Sequence, residues 1–239
     1  MPDRLRLVHC SDIHLGGDEY SADAENPRDL FARALHKMRA HDPDLMLIAG
    51  DLFDSNRTED ETVLWSMEAL ADLPFPIFMI PGNHDCMQPN GVFGRYNFNA
   101  IENMQMLSAP GGETVWDEGL GVAVWGKGME EHSPSYRPLG DCPLRPEGCR
   151  WYLGMGHGIF VADGDVTDRS SPIAMQEIAE SPCDYLALGH HHAAMELVTD
   201  TTLAAFSGSP TDDIGRGATY ALVELTDNDA PSLEILTID

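Results

Sequence analysis

Five short clusters of Asp, His and Asn punctuate the chain, each at the end of a strand-like apolar run: Asp12 with His14, Asp51, Asn83 with His84, His157, and His190 with His192. Carboxylate and amide oxygens are hard donors and imidazoles are borderline ones, so the set suits divalent cations. Seven of these side chains (Asp12, His14, Asp51, Asn83, His157, His190 and His192) suffice to hold two ions around one shared carboxylate. Each piece alone is uninformative. An Asp-x-His is commonly a turn or a helix cap. Gly82-Asn83-His84-Asp85 reads as an ordinary turn, because Gly and Asn tolerate left-handed backbone. Gly189-His190-His191-His192 alone is a His-rich loop. Their repeated placement behind separate strand candidates is what points to metal chemistry.

The elements that must position them alternate. Residues 4–10 read as a strand ending at Ser11-Asp12, and residues 27–41 carry Leu30, Phe31, Ala34, Leu35 and Met38 at helical spacing. Asn26 before Pro27 gives an N-cap followed by an N1 proline. Residues 45–49 form a continuous apolar run, the pattern of a strand buried on both faces. A second helix is expected over 58–73 and a third strand over 76–80. This alternation predicts a parallel α/β core with ligands at strand C-terminal ends. Further on, strands are expected at 114–116, 121–126, 151–156, 184–188, 194–199, 203–207, 219–225 and 232–238, with a helix over 172–180. Met129–Cys149, rich in Pro, Gly and charge, reads as a long surface loop. No polar linker divides the chain, so residues 1–239 are expected to form one α/β domain of two sheets packed face to face with helices outside.

Composition narrows the function classes. With 43% hydrophobic residues the chain is ordinary for a folded domain. No apolar run approaches the ~20 residues of a membrane span, and the N-terminus lacks the apolar stretch of a secretory signal, so a cytoplasmic location is expected. Five cysteines without a C-x-x-C pair argue against a disulfide framework, although Cys142 and Cys149 flank one loop and are placed to meet; Cys10 reads as a small buried hydrophobe. The formal charge is −26, with two lysines, Lys37 and Lys127, against 40 acids. Such a field repels polyanions and speaks against an extended duplex-binding surface. Adaptation to high salt, which screens these charges, is one physical reading of it.

The series Asp12-Ile13-His14, Gly50-Asp51-Leu52-Phe53-Asp54, Gly82-Asn83-His84-Asp85, Gly156-His157 and Gly189-His190-His191-His192 resembles the calcineurin-like metallophosphoesterases, with all five blocks in order. Residues 9–16, 50–54 and 184–190, with Ser207-Gly208-Ser209-Pro210, are similar to the SbcD branch of DNA-repair exonucleases. The resemblance implies an αββα sandwich and two metal sites. Asp12, His14 and His192 would hold one ion, Asn83, His157 and His190 the other, and Asp51 would bridge them. Mn²⁺ is the first expectation, with Mg²⁺, Fe²⁺ or Zn²⁺ as alternatives. His84 would be an acid or transition-state stabiliser near the leaving oxygen, with Asp54 as its partner and Asp85 as a further support. The implied substrate is a phosphodiester, DNA ends included. The SbcD branch also implies a partner ATPase and a C-terminal cap region, for which the chain leaves no room. His191 is expected to point away from its neighbours, and His9, His36, His41 and His132 carry no comparable signal. Arg95, Arg137, Arg145, Arg150 and Arg216 are the scattered cations available to meet a phosphate. A small-molecule phosphodiesterase or phosphatase and a non-catalytic metal-binding scaffold are the alternatives, and an intact His84 speaks against the scaffold.

Overall fold

The computed structural model describes residues 3–17, 25–162, 169–211, 215–227 and 229–238. Strands β1 (Arg4–Cys10), β2 (Leu45–Ala49), β3 (Ile77–Ile80) and β4 (Met104–Met106) run parallel. Two antiparallel strands, β13 (Thr219–Thr226) and β14 (Ser232–Thr237), extend this sheet to the order β14-β13-β1-β2-β3-β4. The second sheet has the order β11-β12-β10-β7-β6-β5. Its members are β5 (Glu113–Asp117), β6 (Val122–Gly126), β7 (Trp151–His157), β10 (Tyr185–Gly189), β11 (Met195–Val198) and β12 (Leu203–Phe206). Between these last groups lies a small parallel pair, β8 (Ile159–Val161) with β9 (Pro172–Ala174).

Strand periodicity explains the layers. Leu5 and Leu7 of β1, and Leu45, Leu47 and Ala49 of β2, face the second sheet, where they meet Leu153, Met155, Tyr185 and Ala187. Alternate residues Val8, Cys10, Met46 and Ile48 face outward, under Phe31, Ala34, Leu35 and Met38 of helix α1 (Pro27–Arg39) and Val63 and Leu70 of α2 (Asp60–Ala71). Because both of its faces are covered, β2 is apolar at every position rather than alternating. On the far side, Tyr152, Leu186, Leu188 and Phe206 pack under Ile173, Ile178 and Leu139, with one short helix, α3 (Met175–Ala179). The mixed α/β architecture with two multistranded sheets is that of the expected sandwich, its second outer layer thinner than the first. Cys10 is fully buried.

Asn26 caps α1 as expected, its side-chain oxygen accepting the Arg28 N–H at 2.9 Å. Some boundaries differ. Helix α2 begins at Asp60 rather than at residue 58, because the Thr58 hydroxyl turns back to the Ser55 carbonyl at 2.9 Å. The expected helix over 172–180 is a strand followed by a single turn: Pro172–Ala174 pairs with β8, and the Glu177 carboxylate caps the Ala174 N–H at 2.8 Å. The meeting of Cys142 with Cys149 does not occur. Cys142 Sγ lies 4.0 Å from Cys183 Sγ, while the Cys149 thiol donates to the Trp151 carbonyl. The 129–149 segment has neither helix nor strand.

Register brings the strand ends to one rim. Cys10 pairs with Ile48, Ala49 with Ile80, and Gly189 with His157, so the segments that follow β1, β2, β3 and β10 leave the sheets together. Gly189 makes the crossing between sheets close enough. A Cβ there would lie 2.1 Å from the Ala49 carbonyl oxygen and 2.7 Å from His157 Nδ1. Gly189→Ala is therefore expected to destabilise the chain by about 1–3 kcal/mol through overpacking. Urea denaturation should show a lower midpoint with an unchanged slope, and an unshifted midpoint would contradict this close approach.

Candidate metal centre

The turns after the strands are held in an unusual backbone conformation. Asp12 (φ 55°), His14 (φ 51°), Asp51 (φ 53°) and His190 (φ 100°) all occupy positive φ, where residues other than Gly are rarely found. Such strain persists only where the surroundings impose it, and it clusters at functional sites. Here the Asp51 carbonyl accepts the N–H groups of Ile13 at 2.8 Å and His14 at 3.1 Å, and the Gly50 carbonyl accepts that of Asp12 at 3.1 Å. The two loops thus brace each other.

The side chains then converge. Ligand atoms of Asp12, His14 and His192 lie within 4.8 Å of one another, as do those of His14, Asp51 and His84, and of Asp12, Asp51 and His157. Asp12 accepts the His190 N–H with both oxygens at 3.0 Å and the Ser11 hydroxyl at 2.5 Å, which fixes its carboxylate plane. Asn83 Oδ1 lies 3.0 Å from His157 Nε2 and 2.9 Å from His190 Nδ1. Asp51 Oδ2 lies 3.2 Å from His157 Nε2 and 3.9 Å from His14 Nε2, and its Oδ1 accepts the His84 N–H at 2.8 Å. All seven side chains expected as ligands are therefore brought together, in two groups that meet at Asp51.

The donor set fits divalent cations. His157 donates from Nδ1 to the Ala49 carbonyl at 2.8 Å, which leaves Nε2 as the atom facing Asp51 and Asn83. An amide oxygen, a buried carboxylate oxygen and an imidazole lone pair then crowd one point, and only a proton or a cation between them reconciles them. In the metal-free chain that role falls to a proton. Burial alone would lower the pKa of His157, but the Asp51 charge and hydrogen bond outweigh it and push it up to about 9. Asp51 is correspondingly held low: burial opposes its ionisation, and His157, His14 and His84 overcome that. His190, by contrast, is pushed down to about 3, by burial first and by His157 second, so it offers a neutral ring.

His84 is exposed, and its ring packs edge-on to that of His14 at 4.6 Å. Its Nδ1 donates to the backbone carbonyl of Asp54 at 2.7 Å, whereas the Asp54 carboxylate sits 3.4 Å from His14 Nδ1. Asp54 thus supports two histidines with different atoms, and His14 is the first cause of its lowered pKa. Asp85 is fully buried and braces the loop, accepting the N–H groups of Gly82 at 2.7 Å and Phe53 at 3.1 Å. Burial, then the Asp51 charge, raises it to about 6. His191 accepts the Phe160 N–H at 3.2 Å and its ring packs on Phe206. His9 is buried between the sheets against the Tyr185 hydroxyl at 2.9 Å. The sequence reading missed His132, whose ring centroid lies 5.6 Å from that of His190. It stands in a loop with no periodicity, and no local pattern announced it.

Asp, Asn and His side chains gathered at one rim of a two-sheet α/β sandwich thus form a candidate divalent-metal site. A family model described as calcineurin-like phosphoesterase matches residues 5–194, and the chain belongs to that family. It is 26% identical over 256 residues to an uncharacterised metallophosphoesterase, YhaO, of Bacillus subtilis (strain 168). That alignment covers 94% of this chain and 58% of the relative, so the chain spans a little over half the length of that protein. Among solved structures the fold is similar to a dimetal phosphatase from Danio rerio, with a TM-score of 0.61, 11% identity, and coverage of 98% of this chain and 99% of that one. It is also similar to an archaeal phosphodiesterase, with a TM-score of 0.53, 12% identity, and coverage of 97% and 100%.

Two outcomes follow from this geometry. Asp51→Asn keeps the shape and the His84 contact but removes the charge that two cations would share, so at least one equivalent of bound metal should be lost. Elemental analysis showing unchanged stoichiometry would contradict the assignment. The second concerns pH. Because His157 has a folded pKa of about 9 against an ordinary 6.5, its pair with Asp51 stabilises the metal-free chain fully below 6.5. That contribution fades as pH rises through 9. Metal must displace the same proton, so Mn²⁺ affinity should rise across this window with proton release on binding. Titration calorimetry in buffers of different ionisation enthalpy measures the released proton, and pH-independent affinity would refute the linkage.

Proposed function

We propose that this chain is a phosphodiesterase using two divalent ions, Mn²⁺ foremost, with Mg²⁺, Fe²⁺ or Zn²⁺ as the alternatives. Asp12, His14 and His192 hold one ion, Asn83, His157 and His190 the other, and Asp51 bridges them. The observation that carries this reading is the meeting of both ligand groups on a single buried carboxylate, with His84 fastened beside it. When bound, such a pair of ions supplies a hydroxide near neutral pH and charge stabilisation for an in-line displacement at phosphorus. The chain's own contribution is placement. Asp51 receives the His84 backbone and thereby fixes the histidine at the rim, and the Asp54 carbonyl takes its Nδ1–H. Nε2 is left to face the leaving oxygen, to which it delivers a proton. Asp54 and Asp85 hold the loops that carry these groups.

Small diesters suit the site better than long duplex. Of the scattered arginines, Arg95 pairs with Asp60, Arg145 with Asp184 and Arg150 with Asp227, so each is already neutralised by a carboxylate. With a formal charge of −26 there is little to track a phosphate backbone. Action at DNA ends is the second reading, carried by the likeness of residues 9–16, 50–54 and 184–190 to the SbcD branch. No helix among the described residues is long and apolar enough to cross a membrane, and we place the enzyme in the cytoplasm.

A panel of phosphomonoesters, small diesters and single- and double-stranded DNA, each with Mn²⁺, Mg²⁺ and Zn²⁺, tests the reading. Turnover of small diesters that exceeds both monoester and DNA hydrolysis is expected, and metal-independent or absent turnover would defeat it. His84→Ala should keep both metals and lose roughly 10²–10⁴ in turnover. The loss should be smaller for a nitrophenolate leaving group than for an alkoxide; equal losses would exclude proton delivery by His84.

A further inference from the structure

Away from the rim, two thiols face each other, and the proposed reaction uses neither. Cys142 Sγ lies 4.0 Å from Cys183 Sγ, which is van der Waals contact. Cys183 stands just before β10 and is 2% exposed, whereas Cys142 is half-buried in the 129–149 segment. A small solute therefore reaches Cys142 first, and Cys183 only through it.

One residue of β7, Tyr152, fastens both. Its N–H donates to the Asp184 carboxylate at 2.8 Å and its carbonyl accepts the Asp184 N–H at 2.8 Å, which pins the residue after Cys183. Its hydroxyl donates to the Pro143 carbonyl at 3.1 Å, which pins the residue after Cys142. Ahead of Cys142, the Lys127 ammonium donates to the Gly140 carbonyl and to the Asp141 carboxylate, each at 3.2 Å. Anchors on both sides of Cys142 thus hold its sulfur against that of Cys183. Cys149 is withdrawn from the pair, because its thiol donates to the Trp151 carbonyl.

A reachable thiol in contact with a buried one is the arrangement that turns an oxidant into a disulfide instead of a dead-end oxide. We propose that Cys142 and Cys183 form an oxidisable pair, in which Cys142 meets a hydroperoxide and Cys183 resolves the product. The Cys142 sulfur attacks one peroxide oxygen and the O–O bond breaks. Cys142 becomes a sulfenic acid, and the other oxygen departs with the Cys142 proton, as water when the oxidant is hydrogen peroxide. The Cys183 sulfur then displaces the sulfenic hydroxyl, which leaves as water with the Cys183 proton. Two thiols and one hydrogen peroxide give one disulfide and two waters. The sulfurs must close to about 2.05 Å, and Cys142, in a segment without helix or strand, is the side that moves. The Cys183 contact holds the Cys142 thiol below its ordinary range, while that contact and burial push Cys183 up, in keeping with these roles.

The product ties the 129–149 segment to the second sheet. Leu139 and Pro138 of that segment fill the space beside Gly156 and Gly158, on either side of His157, so the bond would tether the chain that packs against the site. Where thiols are kept reduced, such a bond is a transient response to peroxide and not a permanent staple.

The test treats the unaltered chain, reduced and then freed of reductant and metal, with a small excess of hydrogen peroxide. Of the five free thiols, two should disappear, with a loss of two hydrogens in the intact mass. Non-reducing peptide maps should join Cys142 to Cys183, and dithiothreitol should restore both. Hydrogen exchange over residues 136–142 should slow on oxidation. Cys183→Ala should stop at a Cys142 sulfenic acid trapped by dimedone, and Cys142→Ser should leave Cys183 unreacted in the native chain. Retention of all five thiols, a bond from Cys142 to Cys149, or ready oxidation of Cys183 in Cys142→Ser would overturn the pair. Unchanged exchange in the oxidised chain would overturn the tethering. The map and the exchange are read on the unaltered chain, so they decide the matter even if a variant fails to fold.

Discussion

A single buried carboxylate, Asp51, ties the site together. Its carbonyl receives two N–H groups from the Ile13-His14 turn, its Oδ1 receives the His84 N–H, and its Oδ2 faces His157 from the second sheet. The space for it is made by glycines. A Cβ at Gly82 would lie 2.1 Å from Asp51 Oδ1, and one at Gly50, itself at φ +92°, would lie 2.4 Å from His157 Nδ1. A carboxylate taken out of water at this depth is costly unless paired. Its partners here are imidazoles, not Lys or Arg, and imidazoles are the cationic partners that can exchange a proton for a metal at neutral pH. The unfavourable burial of the acid and the accommodation of a cation are therefore two sides of one arrangement.

That arrangement needs both sheets. Asp12, Asp51 and Asn83 follow strands of the first, and His157, His190 and His192 come from the second. Tyr185 and Ala187 of β10 sit in the same apolar layer as Leu45, Leu47 and Ala49 of β2, so packing between the sheets sets the distance between the two halves of the proposed ligand set. The acidic surface lies outside this layer. Its arginines are largely spent on neighbouring carboxylates, which leaves the rim as the place where an anionic ester would find positive charge once metal is bound.

Much of this was legible in the sequence. Continuous apolar runs such as residues 45–49 and 185–188 are the pattern of strands covered on both faces, and they pointed to the parallel core and to the rim on which the candidate site stands. Asp, Asn and His after such runs marked the candidate site because few other roles place those residues there repeatedly. What stayed hidden depends on tertiary contact. Pro172–Ala174 looked helical together with Met175–Ala179, and pairing with β8 is what makes it a strand. Cys142 meets Cys183 across 41 positions, a proximity that loop spacing cannot reveal. Asp54 was expected to support His84 and does so through its carbonyl, an atom every residue possesses, while its carboxylate serves His14. His132 carried no signal because its loop has no period, and only the anchoring of Met129 and Ser133 brings it over His190.

The most direct test is anomalous diffraction from crystals grown with Mn²⁺. Two peaks about 3.5–4 Å apart should lie astride the Asp51 carboxylate, one against Asp12, His14 and His192 and the other against Asn83, His157 and His190. A single peak, or a pair of peaks that does not share Asp51, would contradict a centre built on one bridging carboxylate.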